Sequence, residues 1–241
     1  MRRRHVFSLA LFSMLGCGSD SGGSTDDAGP PGPVRILALG DSLTLGFGSG
    51  EEGEGSEGGY RLGLAERLSA DGIAFDFVGS RQNGPARLID RDHEGYNGYA
   101  VAQIAEIANA AIDTYAPDVI LLLAGTNDQI TFVPPSQPPE GAAADLRALL
   151  AQIEARRPDV QVIVGQVIPL THNAEGVRAY NALLPGVIEG ARSEGMNVRL
   201  VDLYAIGEES LSSDGIHPTV EGYDRMAEIW YAALREVLAG R

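Results

Sequence analysis

Between Val34 and Arg241, short apolar runs alternate with longer amphipathic stretches, and this alternation constrains the fold more than any other feature. The runs Arg35–Leu39, Phe75–Gly79, Val119–Ala124, Val160–Ile168 and Val198–Leu203 read as strands. Val119–Ala124 has no polar residue on either face of its pleat, as expected of a strand covered on both sides. Between the runs lie Arg61–Ala70, Ala100–Tyr115, Glu140–Arg157, Glu175–Glu194 and Thr219–Leu238, with helical spacing and with Asp71-Gly72, Pro117, Pro158 and Gly240 as stop signals. Pro185 inside the fourth of these predicts a break or kink. Five strands with intervening helices predict an α/β domain, a three-layer α/β/α sandwich around a five-stranded parallel sheet. Such sheets bind ligands beyond the carboxyl ends of their strands.

The chain ahead of Val34 follows different rules. Arg2-Arg3-Arg4, an apolar stretch from Val6 to Leu15 and then Gly16-Cys17 read as a signal segment, too short to span a membrane as a helix. Met14-Leu15-Gly16-Cys17 resembles a bacterial lipobox, which implies cleavage before Cys17 and lipidation of its sulfur. The expected division is a signal peptide over 1–16, a lipidated Cys and acidic tether over 17–33, and one folded domain over 34–241. Cleavage removes three Arg and no acid, so a net charge of −15 becomes −18. That sign argues against nucleic acid or an anionic membrane surface as partner. The expected location is outside the cytoplasm, on the outer membrane or cell surface, or else secreted. All 18 basic residues are Arg, which removes Schiff-base lysines, Ser–Lys dyads and lysine-bearing phosphate loops. A single Cys removes an internal disulfide framework and Cys-rich metal sites. Two loops are unusual: Phe47–Gly59 is rich in Gly and Glu, and Thr131–Glu140 holds four Pro. The first reads as solvated surface, with a lid as the alternative.

Three polar segments fall after the first predicted strand, after the third and ahead of the last helix: Gly40-Asp41-Ser42-Leu43-Thr44, Gly125-Thr126-Asn127-Asp128 and Asp214-Gly215-Ile216-His217-Pro218. Singly, each could be a cap or a turn. Together they supply an acyl-transfer set. Ser42 is a nucleophile in need of a base, His217 a base, and Asp214 its orienting partner. The Ser42 N–H and the Asn127 amide are candidate oxyanion donors. The Gly-x-Ser-x-Gly elbow of α/β-hydrolases is absent, since Thr44 stands where the second Gly would be.

The blocks GDSL (40–43), GTND (125–128) and DGIH (214–217) resemble those of the SGNH (GDSL) hydrolase family. The resemblance implies a flavodoxin-like α/β/α serine esterase with no cofactor and no metal. It implies Ser42 as nucleophile, Asn127 as oxyanion donor, His217 as base and Asp214 as its partner, with Asp41 structural. It also implies a glycine donor in the second block, His93–Tyr99, where Gly98 is preferred and Gly95 is the alternative. Gly59-Tyr60-Arg61 and Asp92-His93-Glu94-Gly95-x-x-Gly98 are similar to carbohydrate esterase family three, the acetyl xylan esterases. That group more often carries His and Ser where this chain has Tyr96 and Asn97. The expected activity is removal of acetyl or other short acyl groups from carbohydrate, on an acylated carbohydrate or another small ester. The expected membrane contact is confined to a lipid at Cys17. Alternatives are a lysophospholipase, thioesterase or arylesterase of the same family, or a non-catalytic carbohydrate-binding lipoprotein. Tyr96 and Tyr99 could line a sugar subsite or simply pack. His93 reads as structural and His172 as a rim residue.

Overall fold

The computed structural model describes residues 32–48, 58–132, 134 and 136–239. The signal segment, Cys17 and residues 49–57 of the Gly/Glu loop lie outside the described residues. The strands are β1 (Val34–Gly40), β2 (Phe75–Val78), β3 (Arg81–Gln82), β4 (Asp92–Gly95), β5 (Val119–Leu123), β6 (Gln161–Gly165) and β7 (Val198–Val201). The helices are α1 (Ser42–Leu45), α2 (Tyr60–Ala70), α3 (Val101–Tyr115), α4 (Pro139–Arg156), α5 (Ala174–Ser193) and α6 (Val220–Ala239).

The five apolar runs form one parallel sheet in the order β2-β1-β5-β6-β7. This is the flavodoxin-like order. Alternate residues feed two cores. Ile36, Ala38, Val119, Leu121 and Leu123 pack with α2 and α6, where Tyr60, Leu64, Met226 and Trp230 are buried. Leu37, Leu39, Ile120, Leu122, Val162 and Val164 pack with α3, α4 and α5. A continuous apolar run is required because neither face of the sheet meets water.

Two strands were not anticipated. β4 pairs in parallel with Leu39 and Gly40 of β1, just past the residues that β2 occupies, and β3 pairs antiparallel with β4. Asp92-His93-Glu94-Gly95 has no apolar run to announce a strand. Carboxylates hold this region instead. Asp90 accepts from the N–H groups of Phe77 and Asp92, and Glu94 accepts from the Ser80 N–H and hydroxyl. The sheet therefore has seven strands, where the sequence pattern predicts five.

Two further departures have local causes. β6 ends at Gly165, although Val167 and Ile168 continue the apolar run in the buried interior. There the Asn181 side chain replaces a neighbouring strand. It accepts from the Val167 N–H at 2.9 Å and donates to the Val167 carbonyl at 2.8 Å. α5 runs unbroken through Pro185. The proline lies on the exposed face, while Leu184, Val187 and Ile188 anchor the opposite one in the core. This anchoring offsets the loss of one backbone bond.

β1 neighbours β2 on one side and β5 on the other, so the chain order reverses about β1. The segments after β1 and β5 therefore open at the switch point, where such sheets form ligand crevices.

Candidate active site

Gly40 ends β1, and Asp41 caps the short helix α1 by accepting from the Leu43 N–H at 2.9 Å. Gly46 closes α1 with φ +91°. A side chain there would also meet the backbone of Gly58 and Gly59, so this turn needs a residue without a Cβ. The tight turn sets Ser42 at the start of α1, 3% exposed.

The Ser42 hydroxyl lies 3.0 Å from His217 Nε2. His217 Nδ1 lies 2.6 Å from Asp214 Oδ2. The other carboxylate oxygen of Asp214 accepts from the His217 N–H, the Ile216 N–H and the Ser212 hydroxyl. Burial tends to raise the Asp214 carboxyl, but these bonds and the His217 ring outweigh it and hold the group at about 2. An ionised Asp214 places the imidazole proton on Nδ1, leaving Nε2 to accept from the serine. The sequence-predicted Ser42, His217 and Asp214 are thus brought together, from two ends of the chain 175 residues apart.

Two contacts that sequence reasoning missed fix the imidazole further. The Phe47 ring packs on His217, centroid to centroid 4.5 Å. The buried Tyr223 of α6 donates its hydroxyl to the Phe47 carbonyl at 2.9 Å. On the other side, the Thr171 N–H donates to the Gly215 carbonyl, and His172 Nε2 lies 2.8 Å from the Asp214 carbonyl. His172 therefore supports the turn that carries Asp214.

Asn127 stands on the turn after β5. Its Nδ2 donates to the Tyr99 carbonyl at 2.9 Å, which commits one amide hydrogen and orients the other. The next residue, Asp128, is fully buried and accepts from the Val101 N–H and from Gln137. Val101 opens α3, so Asp128 supplies that helix with the N-terminal acceptor that Ala100 lacks. The two candidate glycines differ. The Gly95 N–H is taken by His93 Nδ1 at 3.0 Å. Gly98, with φ +79°, has no acceptor for its N–H among the described residues, and neither has Ser42.

His93 is fully buried, and the Gly95 contact fixes its Nδ1 as an acceptor. Burial, with Arg61 and Arg81 adding to it, pushes its pKa down to about 2, so it stays neutral and holds the second block in place. Tyr96 and Tyr99 stack at 4.8 Å, the Arg81 guanidinium lies 4.7 Å from the Tyr96 ring centre, and the Tyr96 hydroxyl donates to Glu94. Tyr99 also packs against the core.

Arg61 belongs to the Gly59-Tyr60-Arg61 motif, to which the sequence alone assigns no role. It is fully buried in the first turn of α2, where the helix dipole disfavours a cation. That misfit was the available signal. Its guanidinium donates to the carbonyls of Thr44, Leu45, Asn83 and Arg91 and to the Asn83 side chain. Thr44 and Leu45 are the last residues of α1. Arg61 therefore ties the helix carrying Ser42 to the 83–91 loop. Burial lowers its pKa to about 10, which leaves it charged at neutral pH.

Asp41 is fully buried, and its Oδ2 has no hydrogen-bond partner among the described residues. Burial pushes its carboxyl up to about 7. A folded value above the ordinary 3.8 means that its contribution to stability is complete below that pH and is lost as pH rises through about 7. Asp41→Asn, which carries no charge, is expected to remove this fall. Urea midpoints of wild type and variant between pH 4 and 8 check it, and a constant difference across that range contradicts it.

Serine, imidazole and carboxylate thus stand in one hydrogen-bonded line at the switch point of the sheet. The profile of the GDSL-like lipase/acylhydrolase family matches residues 38–225, and the chain belongs to that family of ester hydrolases. It is similar to a multidomain esterase of Ruminococcus flavefaciens, 28% identical over 229 residues, which are 83% of this chain and 28% of that one. It thus spans little more than a quarter of that relative's length. Among solved structures, a Clostridium thermocellum family 3 carbohydrate esterase is 34% identical, with a TM-score of 0.74, over 86% of this chain and 98% of that one. A family 3 carbohydrate esterase from Talaromyces cellulolyticus, 24% identical, shares the fold with a TM-score of 0.74, over 86% of this chain and 99% of that one.

Proposed function

We propose that this chain is a serine esterase that removes short acyl groups, acetyl foremost, from carbohydrate. The observation that carries the reading is the line from Ser42 Oγ through His217 to Asp214, at 3.0 and 2.6 Å. In the proposed reaction His217 Nε2 takes the serine proton as Oγ attacks the ester carbonyl. The Ser42 N–H, the Gly98 N–H and the second Asn127 amide hydrogen face the developing oxyanion. His217 then protonates the leaving alcohol, and water, activated the same way, hydrolyses the acyl-enzyme. Gly98 is preferred over Gly95 because the Gly95 N–H is already engaged by His93.

Carbohydrate as the alcohol is supported by the similarity to carbohydrate esterases and by the 92–98 block. The test is acetate release from a panel of acetylated polysaccharides, alongside p-nitrophenyl esters of two to twelve carbons. Release from at least one polysaccharide, with activity falling beyond four carbons, is the expected result. Preference for the longest esters would instead favour a lysophospholipase.

Export and lipidation at Cys17 are also proposed, on the lipobox alone. They are tested by comparing lipid labelling of the intact chain with that of Cys17→Ala in a bacterial host.

A further inference from the structure

A cleft of about 610 Å³ lies between Gln129, Thr131 and residues 136–140 on one side and the start of α5 on the other. It begins two residues past Asn127 and one residue past His172. Gln129, Thr131, Glu140 and Glu175 line it. Gln129 is 1% exposed, and its Nε2 has no acceptor among the described residues. A buried donor left without a partner costs about 1–3 kcal/mol, so it marks a place where a ligand acceptor would be favoured. The two sides of the cleft are joined, because Asn173 Nδ2 donates to the Gln129 carbonyl at 2.9 Å.

Next to the lining Thr131 stands Phe132, 60% exposed, the one aromatic among the large apolar side chains described as exposed. Its ring meets the His172 ring edge-on at 5.3 Å. His172 in turn contacts the Asp214 carbonyl. The cleft therefore connects to the turn that holds the triad carboxylate.

An open aromatic face beside carboxylates and an amide suits a neutral, polyhydroxylated ring. The apolar face of a sugar stacks on the aromatic, and its hydroxyls donate to carboxylates and accept from amides. Glu140 and Glu175 disfavour an anionic ligand. We propose that this cleft, together with Phe132 beside the lining Thr131, binds the unmodified sugar units that flank the acylated one. The inference rests on the carbohydrate esterase reading and specifies how the polymer is held.

Two measurements test it. The first is the KM for an acetylated xylohexaose, against p-nitrophenyl acetate as control, in wild type, Phe132→Ala and Glu175→Ala. Each variant is expected to raise the oligosaccharide KM at least fivefold and to leave p-nitrophenyl acetate turnover within twofold. An unchanged oligosaccharide KM, or equal losses on both substrates, overturns the inference. The second is calorimetric titration of the intact Ser42→Ala chain with unacetylated xylohexaose. Binding that Phe132→Ala abolishes supports the cleft whatever the enzyme deacetylates. Absence of binding overturns it. Failure of the carbohydrate reading shows separately, as wild type that cleaves p-nitrophenyl acetate but releases no acetate from any acetylated sugar.

Discussion

Ser42→Ala and His217→Ala are each expected to lower kcat on p-nitrophenyl acetate by about 10⁴-fold or more. Each removes one member of a line whose function requires all three. The double variant should lose little beyond either single change, because the groups act as a unit. Asn127→Ala should cost less, about 10²–10³-fold, since it removes one oxyanion donor and leaves the nucleophile and base in place. Initial rates with each purified variant check the series. A His217→Ala enzyme within tenfold of wild type would contradict the assignment of the base. The unfolding curve of Ser42→Ala should coincide with that of wild type, because the Ser42 hydroxyl bonds only His217 among the described residues, whereas His217→Ala also takes the Nδ1 partner from Asp214 and the ring contact from Phe47.

The second large effect falls on stability. Arg61→Ala is expected to destabilise the fold by about 3–5 kcal/mol. Removing the guanidinium leaves the buried Thr44 carbonyl and the half-buried Asn83 carbonyl without the donor that held them, while the Leu45 and Arg91 carbonyls keep bonds from the Asn83 side chain and N–H. At about 1–3 kcal/mol for each unsatisfied buried acceptor, these two reach that range if both stay dry. Arg61→Lys should rescue little, since one ammonium cannot span a fork of separate carbonyls. Urea midpoints at constant slope measure it. Because Thr44 and Leu45 close the helix that carries Ser42, kcat should fall with stability even in the fraction that stays folded. A loss below 1 kcal/mol would mean that the carbonyls find other donors.

Parts of this structure were readable from the chain alone, and the reason differs by element. β5 and β1 announce themselves because a doubly covered strand must be apolar throughout. β4 does not, because Asp92–Gly95 joins β1 by backbone pairing while Glu94 and His93 bond to Ser80 and Gly95, and none of this needs an apolar run. Pro185 signalled a break that packing along α5 overrides. At the site, Ser42, Asp214 and His217 were legible because their chemistry is specific and their segments fall after the first strand and ahead of the last helix. Phe47, Tyr223 and Arg61 were not, since an aromatic or an arginine has many uses and these act through backbone carbonyls and ring contact. The choice between Gly95 and Gly98 needed the geometry, because it depends on which N–H is already engaged.

The central claim is that Ser42 is a nucleophile activated by His217. Incubation with a fluorophosphonate probe, followed by proteolysis and mass spectrometry, tests it most directly. The expected result is one phosphonyl group per chain, on the peptide containing Ser42, and a large drop in labelling rate in His217→Ala. Labelling of another residue, or an unlabelled Ser42 in folded protein, would contradict it.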